Sequence, residues 1–194
     1  MFAVETILPG ILQKNYHYSS WQIGLTYLGA GVGNALGSVV GGYLSDRLLL
    51  RSRQRRGRAV VEDRLTVNLW MAGFVILPLG LLLFGWMAEY SLSVWGPIVG
   101  FGIQCFGMNQ ITTAIAAYLV DAMPGQGASV SAAANVVRGT IACILAVVAN
   151  PTIAAVGPGW TMTSLVVLNW FAMSILVILL LFGERLRRWS GYPV

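Results

Sequence analysis

Ser131, Asn135 and Arg138 stand four and three residues apart in an otherwise apolar stretch. A 3.6-residue period puts all three on one helix face. If that stretch crosses a bilayer, Arg138 lies roughly 15 Å past its inner boundary, at 1.5 Å per residue. A guanidinium at such depth costs about 3 kcal/mol on insertion scales and needs an acid, an anion or water beside it. Asp121, at the inner end of the preceding apolar stretch, is the nearest candidate acid. Two readings stay open. One is an Asp121–Arg138 ion pair, with the side chain snorkelling toward the cytoplasm. The other is an Arg138 that binds an anionic group or tunes a coupling step.

Two further polar clusters interrupt apolar sequence. Asn34 and Ser38 lie about one turn apart, as do Asn109 and Thr113, with Gln110 beside them. Amides and hydroxyls in apolar surroundings cost free energy unless bonded. They either hydrogen-bond between helices or line a path for water and solute. They do not offer catalysis: the sequence holds no HExxH, no P-loop and no Ser–His pair within a plausible pocket. His17 is the only histidine and has no metal-ligand partner in sequence. Cys105 and Cys143 each lie within apolar sequence, which argues against a disulfide framework. The expectation is a protein that is not an enzyme and needs no metal and no cofactor.

The elements that must carry these residues follow from composition. Of 194 residues, 57% are apolar and 10% charged, with a mean hydropathy of +0.73. A soluble domain carries about 25% charged residues to wet its surface. This chain cannot, so it reads as an integral membrane protein. A helix needs about 20 apolar residues to cross the hydrocarbon core. Five stretches qualify: Trp21–Leu44, Val67–Met87, Val94–Leu119, Ser129–Ala149 and Met162–Phe182. Residues 1–12 are too short to span and read as the end of another, truncated helix.

Charge sets the orientation. The net charge is +5, and seven of the twelve Lys and Arg residues fall between Ser45 and Arg64. A second basic clump follows at Arg185–Arg188. Basic loops stay cytoplasmic. An even number of spans separates the clumps, so both fall on one side: loop 45–66 and tail 183–194 are cytoplasmic. Trp21, Trp86, Trp95 and Trp160 then sit at outer boundaries, as amphipathic rings prefer. Basic residues confined to two clumps beside apolar runs do not form a nucleic-acid face.

Within the first span, Gly29, Gly33, Gly37 and Gly41 recur every four residues and predict a strip where another backbone can approach. Asn34 and Ser38 are expected on a roughly opposite, polar face. The second and fifth spans are apolar nearly all round and are expected to face lipid. Pro78 is expected to kink the second, and Asn169 to hydrogen-bond between helices.

At "GGYLSDR" the sequence resembles the major facilitator superfamily, whose loop motif G-x-L-x-D-R is matched by Gly42, Leu44, Asp46 and Arg47. The following "LLLRSR" departs from the first copy of that motif and looks like the copy after the eighth helix. "AAYLVDAMPGQGASVSAAANVVRG" and "GPGW" look like the tenth-to-twelfth helix region of fungal drug:proton antiporters. The resemblance implies an all-α polytopic membrane protein with five full transmembrane helices plus a partial N-terminal helix. These would be helices eight to twelve and the end of helix seven, from the C-terminal half of such a fold. It further implies that the eighth, tenth and eleventh helices line a cavity while the ninth and twelfth lie outside, and that Gly42, Asp46 and Arg47 form a conformational latch. For Asp46, simple topology at a helix end stays the alternative. The expected function is alternating-access transport of small organic solutes, as multidrug efflux coupled to protons, in the plasma membrane. The expected partners are the lipid bilayer, a small-molecule solute, protons and an N-terminal half lying outside this sequence. The alternative is a truncated, non-transporting membrane fragment that acts only as an interaction partner.

Overall fold

The computed structural model describes residues 2–56, 69–91, 93–122 and 125–189. The described residues form helices and no strands: α1 Phe2–Tyr16, α2 Ser20–Arg56, a π-helical segment Leu69–Ile76 leading directly into α3 Leu77–Glu89, α4 Trp95–Ala122, α5 Gly127–Val156 and α6 Pro158–Trp189.

Each predicted stretch seeds a helix, but the helices overrun the apolar limits. α2 continues past Leu44 to Arg56, so residues 45–56 of the expected basic loop are helical. Residues 57–66 of that loop lie outside the described residues. Arg is a good helix former, and its side chain is satisfied in water. α5 runs past Ala149, the predicted end of that span, through Asn150 and Pro151, and stops at Gly157 with φ +89°. Proline removes an N–H but is survivable where the orphaned carbonyl is near the wet helix end. α6 likewise extends to Trp189, into the expected tail, and residues 190–194 lie outside the described residues.

Among the described residues four helical stretches are long and apolar enough to cross a membrane: Ser20–Arg51, Trp70–Glu89, Gly127–Val156 and Pro158–Ile178. That is one fewer than the sequence suggested. α4 has the length, but Gln104, Asn109 and Gln110 lower its hydropathy.

α4 is the hub, with α2 on one side and α3 on the other; α6 packs on α3, and α1 leans on α5. Val4, Ile7, Leu8, Ile11 and Leu12 of α1 are buried at helical spacing and join a core with Phe84, Phe101, Cys105 and Met162. α3 is not simply a lipid-facing helix. Leu77, Leu81, Phe84 and Ala88 are buried, because a helix apolar all round can be covered on several sides.

Candidate functional site

Close approach of α2 and α4 builds the polar site. A Cβ added at Gly33 or Gly37 would strike the backbone carbonyl of Gly102 or Phe106, and one at Gly41 would lie 2.7 Å from the Gln110 carbonyl. The glycine strip is therefore a backbone-to-backbone seam, as its spacing predicts. Within a membrane such seams gain from dispersion and from hydrogen bonds rather than from water exclusion.

The seam brings two of the sequence-predicted polar residues together. The Asn109 side-chain amide donates to the Asn34 side-chain oxygen across it. One turn on from each, a hydroxyl folds back: Ser38 Oγ donates to the Asn34 carbonyl at 2.9 Å, and Thr113 Oγ1 to the Asn109 carbonyl at 2.8 Å. Asn34 thus borders the packing strip instead of opposing it. Three residues advance about 300°, leaving Asn34 only about 60° from Gly37. Gln110 is buried and partnered beside Gly41. Gln104 is buried with its amide oxygen unbonded.

Ser131, Asn135 and Arg138 do not join that cluster. They lie along α5, where Asn135 is exposed and Ser131 and Arg138 half-buried. Among the described residues no ion pair links Arg138 to Asp121, which is exposed and has other company. The reason lies in the helix: Ala149 is its one buried residue. α5 leans on its neighbours too lightly to trap a side chain between helices.

The motif residues sit at the end of α2. A Cβ at Gly42 would make ordinary contact with Thr113 Cγ2 at 3.9 Å. Asp46 is exposed yet partnered. Arg47 lies over the Tyr43 ring, 4.6 Å from its centroid, one helical turn back.

Sequence reasoning missed the fastenings at the opposite end. The Gly159 N–H donates to the Glu89 carboxylate at 3.0 Å, which caps α6 with an anion at its positive end. Gly157 makes room for that carboxylate, 2.6 Å from where a Cβ would stand. Trp86 meets Trp160 edge to face. Tyr27 donates to the Glu5 carbonyl at 2.9 Å, tying α2 to α1. "GPGW" was the available signal, since a paired glycine flanking a proline marks a turn.

A helical bundle of long apolar helices, zipped by glycine and carrying amides within the seam, defines an integral, multi-pass membrane protein. Residues 1–147 match the family model of the Major Facilitator Superfamily. The chain belongs to that superfamily. It is 34% identical over 188 residues to the MFS transporter eqxG of Fusarium heterosporum, covering 96% of this chain and 38% of that protein. It is 32% identical over 194 residues to the MFS-type transporter penM of Penicillium rubens, covering 100% of this chain and 38% of that protein. It is 35% identical over 144 residues to the MFS antiporter QDR3 of Candida albicans, covering 74% of this chain and 20% of that protein. The chain spans well under half the length of these relatives. No solved structure matches it.

Proposed function

We propose that this chain forms the C-terminal part of a transporter for small organic solutes, working by alternating access and coupled to protons. α4 crosses the bilayer as well, giving five spans with α1 as the end of a sixth. The membrane is the plasma membrane, and the Arg-rich segments at 47–64 and 185–188 face the cytoplasm, an orientation that the distribution of basic residues favours.

One observation carries the reading. α5 is apolar enough to span, yet bears Ser131, Asn135 and Arg138 on one face and is almost wholly unburied. Arg138 is half-buried on this lightly covered helix, and an arginine at bilayer depth is costly against lipid. It is satisfied where the face lines a water-filled path between two halves that rock about a midplane site. Asn135 and Arg138 then meet the solute, while the Asn34–Asn109 pair, with Ser38, Gln110 and Thr113, fixes the wall of that path. Asp46 and Arg47 act as the latch at its cytoplasmic end. The word antiporter in the name of the Candida albicans relative supports exchange against an ion.

The test is flux. The chain is reconstituted in proteoliposomes with an N-terminal six-helix half supplied as a second chain, and uptake of a cationic dye is followed with and without an imposed pH gradient. The expected result is uptake that the gradient accelerates several-fold. Uptake no greater than in empty liposomes would contradict transport; uptake indifferent to the gradient would contradict proton coupling alone.

A further inference from the structure

α3 is broken where its backbone donors run out, and α6 supplies the replacements. Pro78 has no N–H. In an α-helix residue 78 would donate to the carbonyl four back, Phe74; in a π-helix, to the carbonyl five back, Gly73. The chain passes from π to α geometry here, at Ile76–Leu77. Those same two carbonyls receive side-chain donors from α6. Asn169 Nδ2 donates to the Gly73 carbonyl at 2.9 Å, and Trp170 Nε1 to the Phe74 carbonyl at 3.3 Å. Room for the approach comes from Gly73, where an added Cβ would lie 2.5 Å from Met173 Sδ. Trp70 stacks on Phe74 with ring centroids 5.0 Å apart, which braces the π segment.

We infer that Gly73–Pro78 is a hinge where the π segment joins α3, latched by Asn169 and Trp170 of α6, and that releasing the latch lets the Leu69–Ile76 segment leave its π register. A proline hinge ordinarily leaves its carbonyls to water, which the bilayer core withholds. Here two donors on a separate helix make the junction conditional: it holds its shape only while α3 and α6 stay aligned. A register change of one residue turns the preceding segment by about 100° and moves it by about 1.5 Å. The hinge couples the relative position of α3 and α6 to the orientation of Trp70 and Met71, both exposed on the segment before it. Asn169 and Trp170 are positioning residues, and the inference holds whatever the chain transports.

The dependence on Pro78 provides the test. Spin labels are placed at Met71→Cys and Ile178→Cys in the full chain, with Cys143→Ser and Cys105→Ala, in lipid nanodiscs. Electron–electron distances are then measured. With Pro78 present, Asn169→Leu is expected to add a second population displaced by several ångströms, while Asn169→Gln, which keeps the donor, leaves one. In a Pro78→Ala chain the restored N–H serves the junction, and Asn169→Leu is expected to leave a single population. If Asn169→Leu does not fold, Trp170→Phe removes only the indole donor and is read against Pro78→Ala in the same way. An unchanged distance in the substituted chain, or equal broadening with and without Pro78, would overturn the hinge.

Discussion

The Asn34–Asn109 bond joins two residues that sequence identifies separately. Each is a polar group in an apolar helix, and that much is legible from composition. Their pairing is not, because it depends on how closely α2 and α4 approach, and only the backbone contact at Gly33 and Gly37 shows that. Interhelical hydrogen bonds in membranes contribute about 0.6 kcal/mol on average and at most about 1.7. A double-mutant cycle with Asn34→Ala and Asn109→Ala, followed by unfolding in mixed micelles, should return a coupling energy of about 0.6–1.7 kcal/mol. A coupling near zero would mean the two amides act separately. Arg138 makes a contrasting case. With no ion pair to Asp121 among the described residues, Arg138→Ala should leave the folded yield unchanged and the stability within about 0.5 kcal/mol of the parent's, as for substitutions away from packed networks. Dye flux in the reconstituted transporter should fall at least several-fold. A collapsed yield would return Arg138 to a structural role.

At the scale of elements, the glycine strip was the strongest signal the sequence carried, since a period of four small residues has few other uses in an apolar helix. It predicts a seam, and α4 occupies it. Gly37→Leu puts a side chain against the Phe106 carbonyl, where neither backbone can yield. The expected cost is about 3 kcal/mol, the upper end for overpacking, seen as a lower melting temperature. Gly31→Leu, on open space in the same helix, should leave the melting temperature nearly unchanged. Equal losses at both positions would argue against the seam. Helix limits were less legible. Apolar runs end where the lipid does, but a helix ends where its capping chemistry does, so α2 and α6 run on through arginines. The π segment was the least legible element. Pro78 marks a break, but the donors that complete it sit 96 residues away.

At the scale of the molecule, the bundle is well packed on one flank and bare on the other. α2, α4, α3 and α6 form a contiguous row, while α5 and much of α2 show Leu28, Val32, Leu36, Val136, Val137, Ile141 and Ile144 to the exterior. Family and membrane class were legible from hydropathy, basic clumps and the loop motif, because those follow from lipid and charge rather than from packing. Which bare face meets lipid and which lines the proposed solute path was not legible, because both are uncovered. Position on the helix separates them. By the 100° advance per residue, Val137 and Ile144 lie about 120–180° round the helix from Ser131 and Asn135.

Single cysteines at Ser131, Asn135, Val137 and Ile144, with Cys143 and Cys105 replaced, would be treated in intact membranes with a water-soluble, membrane-impermeant maleimide. Modification at Ser131 and Asn135 with protection at Val137 and Ile144 is the pattern expected of a helix that lines a solute path. Equal protection at all four positions, or modification at Val137 and Ile144 alone, would contradict it.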